Sequence, residues 1–268
     1  MNAAQLLRTH GRSFWWASWL LDQATRERCA RLYGLCRSLD DWADREPNAL
    51  ALSRLSNVRA TLAAGALPAE LVGFLSPSEI TQHADNLQEL IDGLLSDLKT
   101  PVALADQAEL LVYAERVAGS VGEMMARSLG AADPQAIRPA RDLGLAMQLT
   151  NIARDVHEDA VQGRVYLPAN WLPAGLKCAA LATPSADVAA ALKPVLERLL
   201  ALAAQYYQSG RNGLPFLPSR ARRAIGVAAR LYEAIGPAAL RGLEHGRYGQ
   251  RALVSAPHKV LLLLRELS

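Results

Sequence analysis

The sequence predicts an all-α chain, and three observations carry the prediction. Apolar residues recur at helical spacing through most of its length, and much of that apolar content is Ala and Leu, both strong helix formers. Strand-like runs of Val, Ile and Thr are scarce, and aromatics make up only 6% of the residues, which leaves little from which to build a pleated sheet. No G-x-G-x-x-G, P-loop or internal repeat interrupts the pattern, so a nucleotide-binding α/β fold and a solenoid are both disfavoured. A length of 268 residues suits one large helical domain with a sizeable core, covering 1–268.

Taken in order, helices are expected over 2–18, 24–46, 50–64, 79–98, 106–129, 134–161, 187–210, 219–246 and 256–267. Ser78 is the expected cap of the helix containing Leu87, Leu90, Ile91 and Leu94, and Asp133 followed by Pro134 opens another. Gly65, Gly130 and Gly163 stand where C-caps belong. Pro168, Pro173, Gly175 and Pro184 break the stretch from Gly163 to about Ala186, which reads as a long loop: a lid or a plain surface connection. The run Val260 to Leu264 is too short to span a membrane and reads as the buried face of a last helix.

A net charge of +3 comes from scattered arginines rather than a basic block, which argues against a nucleic-acid partner and suits an anionic ligand. Cys29, Cys36 and Cys178 form an odd set without C-x-x-C spacing, as expected of free thiols in a reducing compartment. Neither a secretory leader nor a run of about 20 apolar residues is present, so a cytoplasmic location is expected, with peripheral membrane contact for product release left open.

Two segments carry the chemistry. Tyr33, Arg37, Asp40 and Asp44 share one helix face, and Gln148, Asn151, Asp155 and Asp159 share another. Like charges at i, i+4 cost a helix a few tenths of a kcal/mol, about 0.2–0.5, so each pair invites a cation. Around the second pair Leu143, Leu145, Met147, Leu149, Ile152 and Val156 cover most of the remaining circumference, and a carboxylate stripe buried in that way needs a partner. Mg²⁺ is the natural candidate, with Mn²⁺ as a substitute, because it takes carboxylates together with phosphate oxygens. Arg37, Arg154 and Arg164 lie beside the aspartates, and Arg251 and Lys259 near the C-terminus, as donors to phosphate. Either segment alone also reads as a solvated acidic face paired with local arginines; the two together point to a site. Tyr33, Tyr113 and Tyr232 divide evenly between core aromatics and cavity groups, and His10 and His157 are assigned no role.

These segments resemble the squalene/phytoene synthase family over nearly the whole chain. His10-Gly-Arg12-Ser13-Phe14 is similar to the family's H-S-K-S-F stretch, Tyr33 to Asp44 to its first aspartate motif, and Tyr113 with Val117-Ala-Gly-Ser-Val-Gly122 to its Y-C-x-x-V-A-G-T-V-G helix. Gln148 to Asp159, continuing into Gly163-Arg164-Val-Tyr166-Leu-Pro168, resembles the second motif almost unbroken. The resemblance implies a single-domain orthogonal helical bundle around a central cavity, with the aspartate helices facing each other at its mouth. It implies Asp40, Asp44, Asp155 and Asp159 as Mg²⁺ ligands with Asn151 nearby, and Tyr113 and Arg154 as catalytic with the aspartates. Arg37, Arg154, Arg164, Arg251 and Lys259 would grip diphosphates, while Ser13, Phe14, Tyr33, Tyr113, Gln148 and Tyr232 line the cavity. The implied reaction is head-to-head condensation of two prenyl diphosphates through a cyclopropylcarbinyl diphosphate, with geranylgeranyl diphosphate going to phytoene and no nicotinamide required. The alternatives are squalene, presqualene diphosphate or dehydrosqualene from farnesyl diphosphate, a prenyl diphosphate phosphatase, and a non-catalytic binding or assembly protein. Departures are Ala114 in place of Cys, the bulky Trp42 inside the first motif, and a segment Thr100 to Asp106 without the common Arg-Tyr.

Overall fold

A computed structural model describes residues 9, 12–99, 102–250 and 252. It is built from helices Arg12–Ser18 (α1), Gln23–Arg45 (α2), Asn48–Ala63 (α3), Pro77–Asp97 (α4), Gln107–Ala114 (α5), Ser120–Ser128 (α6), Ile137–Val161 (α7), Cys178–Leu181 (α8), Ala186–Arg211 (α9), Ser219–Glu233 (α10) and Ile235–Glu244 (α11). The strands among the described residues are two-residue pieces, Val102–Ala103 (β1) and Arg164–Val165 (β2), paired in parallel. The expected helix 256–267 lies outside the described residues, as do His10, Arg251 and Lys259. Among the described residues no helix is long and apolar enough to cross a membrane.

Local chemistry sets the helix ends, and in three places it departs from expectation. The cap of α4 is Ser76, not Ser78: its hydroxyl accepts from the Glu79 N–H while the Glu79 carboxylate accepts from the Ser76 N–H, a reciprocal box with Pro77 in the first turn. The expected helix 106–129 holds a π-turn, Glu115–Gly119, between α5 and α6. The expected helix 219–246 breaks at Ala234 into α10 and α11, since Pro237 has no N–H to continue the ladder. Gly65, Gly130 and Gly163 do adopt the positive φ of C-caps. The stretch expected as a loop from Gly163 is partly pinned: after β2, the Ala169 and Asn170 N–H groups donate to Leu104 and Ala105 carbonyls.

α7 is the hub, packing against α9, α6, α10 and α11. One apolar cluster joins Leu149, Ile152 and Ala153 of α7 to Leu192, Leu196, Leu199 and Tyr207 of α9. A second joins Leu32, Leu35 and Leu39 of α2 to Leu55 of α3 and Leu87 and Ile91 of α4. Smaller clusters lie under α1 and α10, around Ala17, Val227 and Leu231, and around Cys29, Leu129 and Leu217. Each cluster contributes wall residues to a central cavity of about 400 Å³.

Candidate active site

The cavity wall is apolar through its body and charged at one end. α4 gives it Leu90 and Leu94, α6 gives Val121 and Met125, α7 gives Leu143 and Met147, and α10 gives Ala224 and Ala228. Toward the aspartate helices it is lined by Tyr33, Arg37 and Asp40 of α2 and by Gln148, Asn151 and Arg154 of α7. Phe14 stacks obliquely on Tyr33 and Tyr232, with ring centroids 6.4 and 5.2 Å away, so three separate helices meet in one aromatic group on the wall. Ser13 sits in α1, but its side chain lies outside the described residues.

Arginines hold the carboxylates. Arg37 donates to Asp40 at 2.7 Å and to Asp41 at 2.5 Å, and Arg154 grips Asp155 through both forks, its Nε at 2.7 Å. Arg164, delivered by β2, donates to the Asp44 carboxylate and to the Ala43 carbonyl, which ties the chain after α7 to the end of the α2 motif. The two aspartate helices therefore address the same opening. Burial pushes Asp159 up to about 8, reinforced by Asp155, opposed by Arg164 and raised further by Asp44 and Asp97. Burial and the neighbouring Asp44 likewise push Asp40 up to about 6, against Arg37.

Among the described residues no three His, Cys, Asp or Glu side chains stand close enough to form a preformed metal cage. Of the four carboxylates expected to converge, Asp40 lines the cavity, while Asp44, Asp155 and Asp159 are not among its lining residues; Asp44 and Asp155 pair with Arg164 and Arg154. The donor set still fits Mg²⁺. It is entirely oxygen, and the Asn151 carboxamide oxygen is buried beside the cavity with no hydrogen-bond partner. Mg²⁺ needs only one or two carboxylates when substrate phosphate supplies the rest.

Trp42, the bulky departure inside the first motif, is not among the lining residues; it packs near α3 with the Arg54 guanidinium 4.9 Å above its ring. A lining carboxylate that sequence reasoning passed over is Asp97. It follows Leu90 and Leu94 along one face of α4, and a carboxylate on an apolar stripe was the available signal. Tyr113 donates to it at 3.0 Å. Tyr166, quoted in the second motif without a role, stacks on Tyr113 at 4.8 Å.

Residues 7–256 match the family model described as squalene/phytoene synthase. The chain belongs to that family. Among its relatives, the 15-cis-phytoene synthase of Paracoccus sp. (strain N81106 / MBIC 01143) is 36% identical, over 98% of this chain and 89% of that protein. The phytoene synthase of Pseudescherichia vulneris is 36% identical, over 88% of this chain and 80% of that one. A crystal structure of a dehydrosqualene synthase in complex with ligand superposes with a TM-score of 0.83 at 26% identity, over 99% of this chain and 94% of that chain. The squalene/phytoene synthase family is a family of prenyltransferases, and the all-α fold of this chain is similar to that of the dehydrosqualene synthase structure.

Proposed function

We propose that this chain joins two molecules of geranylgeranyl diphosphate head to head, through a cyclopropylcarbinyl diphosphate, to give phytoene. The observation that carries the reading is the division of the cavity into an apolar body and one end where Arg37, Asp40, Asn151 and Arg154 gather. Asp40, Asp44, Asn151, Asp155 and Asp159 would hold Mg²⁺, which when bound neutralises diphosphate charge and assists its departure. Mn²⁺ would serve as a substitute. Arg37, Arg154 and Arg164 orient the diphosphates as they leave, with Arg251 and Lys259 assigned to the same task by resemblance. No protein nucleophile is needed. Leu90, Leu94, Val121, Met147 and the ring group of Phe14, Tyr33 and Tyr232 keep water from the carbocation. The whole chain is read as one working domain that needs no nicotinamide.

The likeness to a dehydrosqualene synthase structure keeps one second reading, condensation of farnesyl diphosphate. Purified protein with Mg²⁺ and either geranylgeranyl or farnesyl diphosphate, with and without NADPH, separates the two by the mass of the hydrocarbon. Phytoene from the longer substrate without NADPH is the expected result. A cyclopropyl diphosphate that persists until NADPH is added, and then gives a product with two extra hydrogens, would contradict it.

A further inference from the structure

We propose that Asp97 is the positioning partner and proton acceptor of Tyr113, and that the pair removes the proton that ends the carbocation sequence. The inference rests on the prenyl diphosphate reading above. Asp97 is 6% exposed, lies in the cavity wall after Leu90 and Leu94, and is the one carboxylate there outside the two aspartate motifs among the described residues. A carboxyl group in apolar surroundings is costly unless its oxygens are satisfied, yet Asp97 Oδ1 has no hydrogen-bond partner. Its Oδ2 accepts the Tyr113 hydroxyl proton at 3.0 Å, and the Tyr113 ring is held by stacking on Tyr166, 4.8 Å away with 19° between planes. Tyr113 also lines the cavity.

This hydrogen bond fixes what the phenol can offer. Its proton is committed to Asp97, so a lone pair remains for the cavity, and the group acts toward ligand as an acceptor. A carbocation chain that ends as a neutral alkene needs such an acceptor in a space from which water is excluded. The balanced step breaks a C–H bond next to the cationic carbon, and its electron pair becomes the new C=C bond. The proton passes to Tyr113 Oη as the tyrosine's own proton passes to Asp97 Oδ2. Tyrosine is neutral before and after, while the substrate cation and the carboxylate charge are both discharged.

The groups facing Asp97 are Tyr113 from the α5 end, Tyr166 and Arg164 from the segment after α7, Asp44 from α2 and Asp159 from α7. Burial raises the carboxyl, the Tyr113, Arg164 and Tyr166 contacts lower it, Asp44 raises it, and the outcome is about 7. It is therefore able both to take and to release a proton near neutral pH.

The test compares wild type, Asp97→Asn, Asp97→Glu and Tyr113→Phe with Mg²⁺ and geranylgeranyl or farnesyl diphosphate, unlabelled or deuterated at carbon 1. Diphosphate release and hydrocarbon formation are followed separately, and thermal melts show folding. Asp97→Asn keeps the side-chain volume and an acceptor oxygen, so it is expected to release diphosphate at near the wild-type rate. Its hydrocarbon yield should fall about 100-fold, the scale of a lost general base, with water-quenched alcohol and not cyclopropyl diphosphate in its place. A deuterium isotope effect larger than the wild type's should accompany that loss, and the acid limb near pH 7 should disappear from the pH profile of hydrocarbon formation. Asp97→Glu, which keeps the carboxyl, should retain the acid limb and settles the question if Asp97→Asn does not fold. Equal loss of diphosphate release and hydrocarbon, or an unchanged isotope effect and pH profile, would overturn the inference. A wild-type protein that forms no hydrocarbon from either substrate would instead overturn the prenyl diphosphate reading itself.

Discussion

Asp155 illustrates how much of the site a single residue can carry. It is clasped by the neighbouring Arg154, so its replacement by Asn removes the charge but keeps the volume. Turnover of Asp155→Asn should fall by about 100-fold or more while the melting temperature stays near wild type, because a ligand is lost and not a packing contact. Steady-state rates beside a thermal melt check this, and wild-type turnover would make the carboxylate merely structural. Arg164→Lys keeps the charge but loses the fork that reaches both Asp44 and the Ala43 carbonyl. Its KM for prenyl diphosphate should rise about tenfold, the equivalent of one lost charge-assisted contact of about 1.4 kcal/mol; an unchanged KM would place Arg164 outside the substrate site. The aspartates, arginines and Asn151 were legible in the sequence because helical periodicity puts residues four apart on one face. Asp97 carried only the weaker signal of a carboxylate on an apolar helix stripe, and nothing in its own helix shows that Tyr113 and Tyr166 will arrive beside it from elsewhere in the chain.

At the scale of elements, the glycines of the helix pair α6 and α7 explain a motif that periodicity alone leaves unexplained. A Cβ on Gly122 would run into the carbonyl of Ala140, and one on Gly144 into the carbonyl of Ala118, so the two backbones approach to within a side chain's width. This contact sets the wall that carries Val121 and Gln148 into the cavity. Gly144→Ala should therefore destabilise by about 1–3 kcal/mol, the range for overpacking. Gly242→Ala, where nothing stands within 4 Å on α11, should stabilise slightly, by up to about 1 kcal/mol. Denaturant titration of both variants measures the difference; equal stabilities would deny the close approach. Most helices were readable from apolar spacing, but their ends obeyed local chemistry: Ser76 with Glu79 outcompeted Ser78, and Pro237 split one expected helix in two. The π-turn between α5 and α6 had no sequence signal, because it is a matter of tertiary fit where Gly93 and Gly119 pack against Val117 and Leu145.

For the molecule as a whole, the carboxylates make stability depend on pH in a definite direction. Asp40, Asp97 and Asp159 are raised to about 6, 7 and 8 from an ordinary value of 3.8, so each binds its proton more tightly in the folded state. Their contribution is full below the unfolded value and is lost as pH rises through 6, 7 and 8 in turn. Glu79 and Glu123 are lowered, by hydrogen bonds from Ser76 and from Arg127 and Arg141 respectively, so their contribution is lost as pH falls below the ordinary 4.5. From these groups the metal-free protein should melt higher near pH 4.5 than at pH 6 and lower again at about pH 8.5, and Mg²⁺ with diphosphate should flatten the alkaline decline. A melting temperature that rises steadily to pH 9 would contradict this.

The central claim is that two aspartate helices, brought to one opening by α7 and the Arg164 bridge, act together on a diphosphate. The most direct measurement is release of inorganic diphosphate from geranylgeranyl diphosphate, with and without Mg²⁺, by wild type, Asp44→Asn and Asp159→Asn. Release that requires Mg²⁺ in the wild type, and that falls by about 100-fold in each variant while both still melt like wild type, is the expected result. Wild-type release by either variant, or release that ignores Mg²⁺, would contradict it.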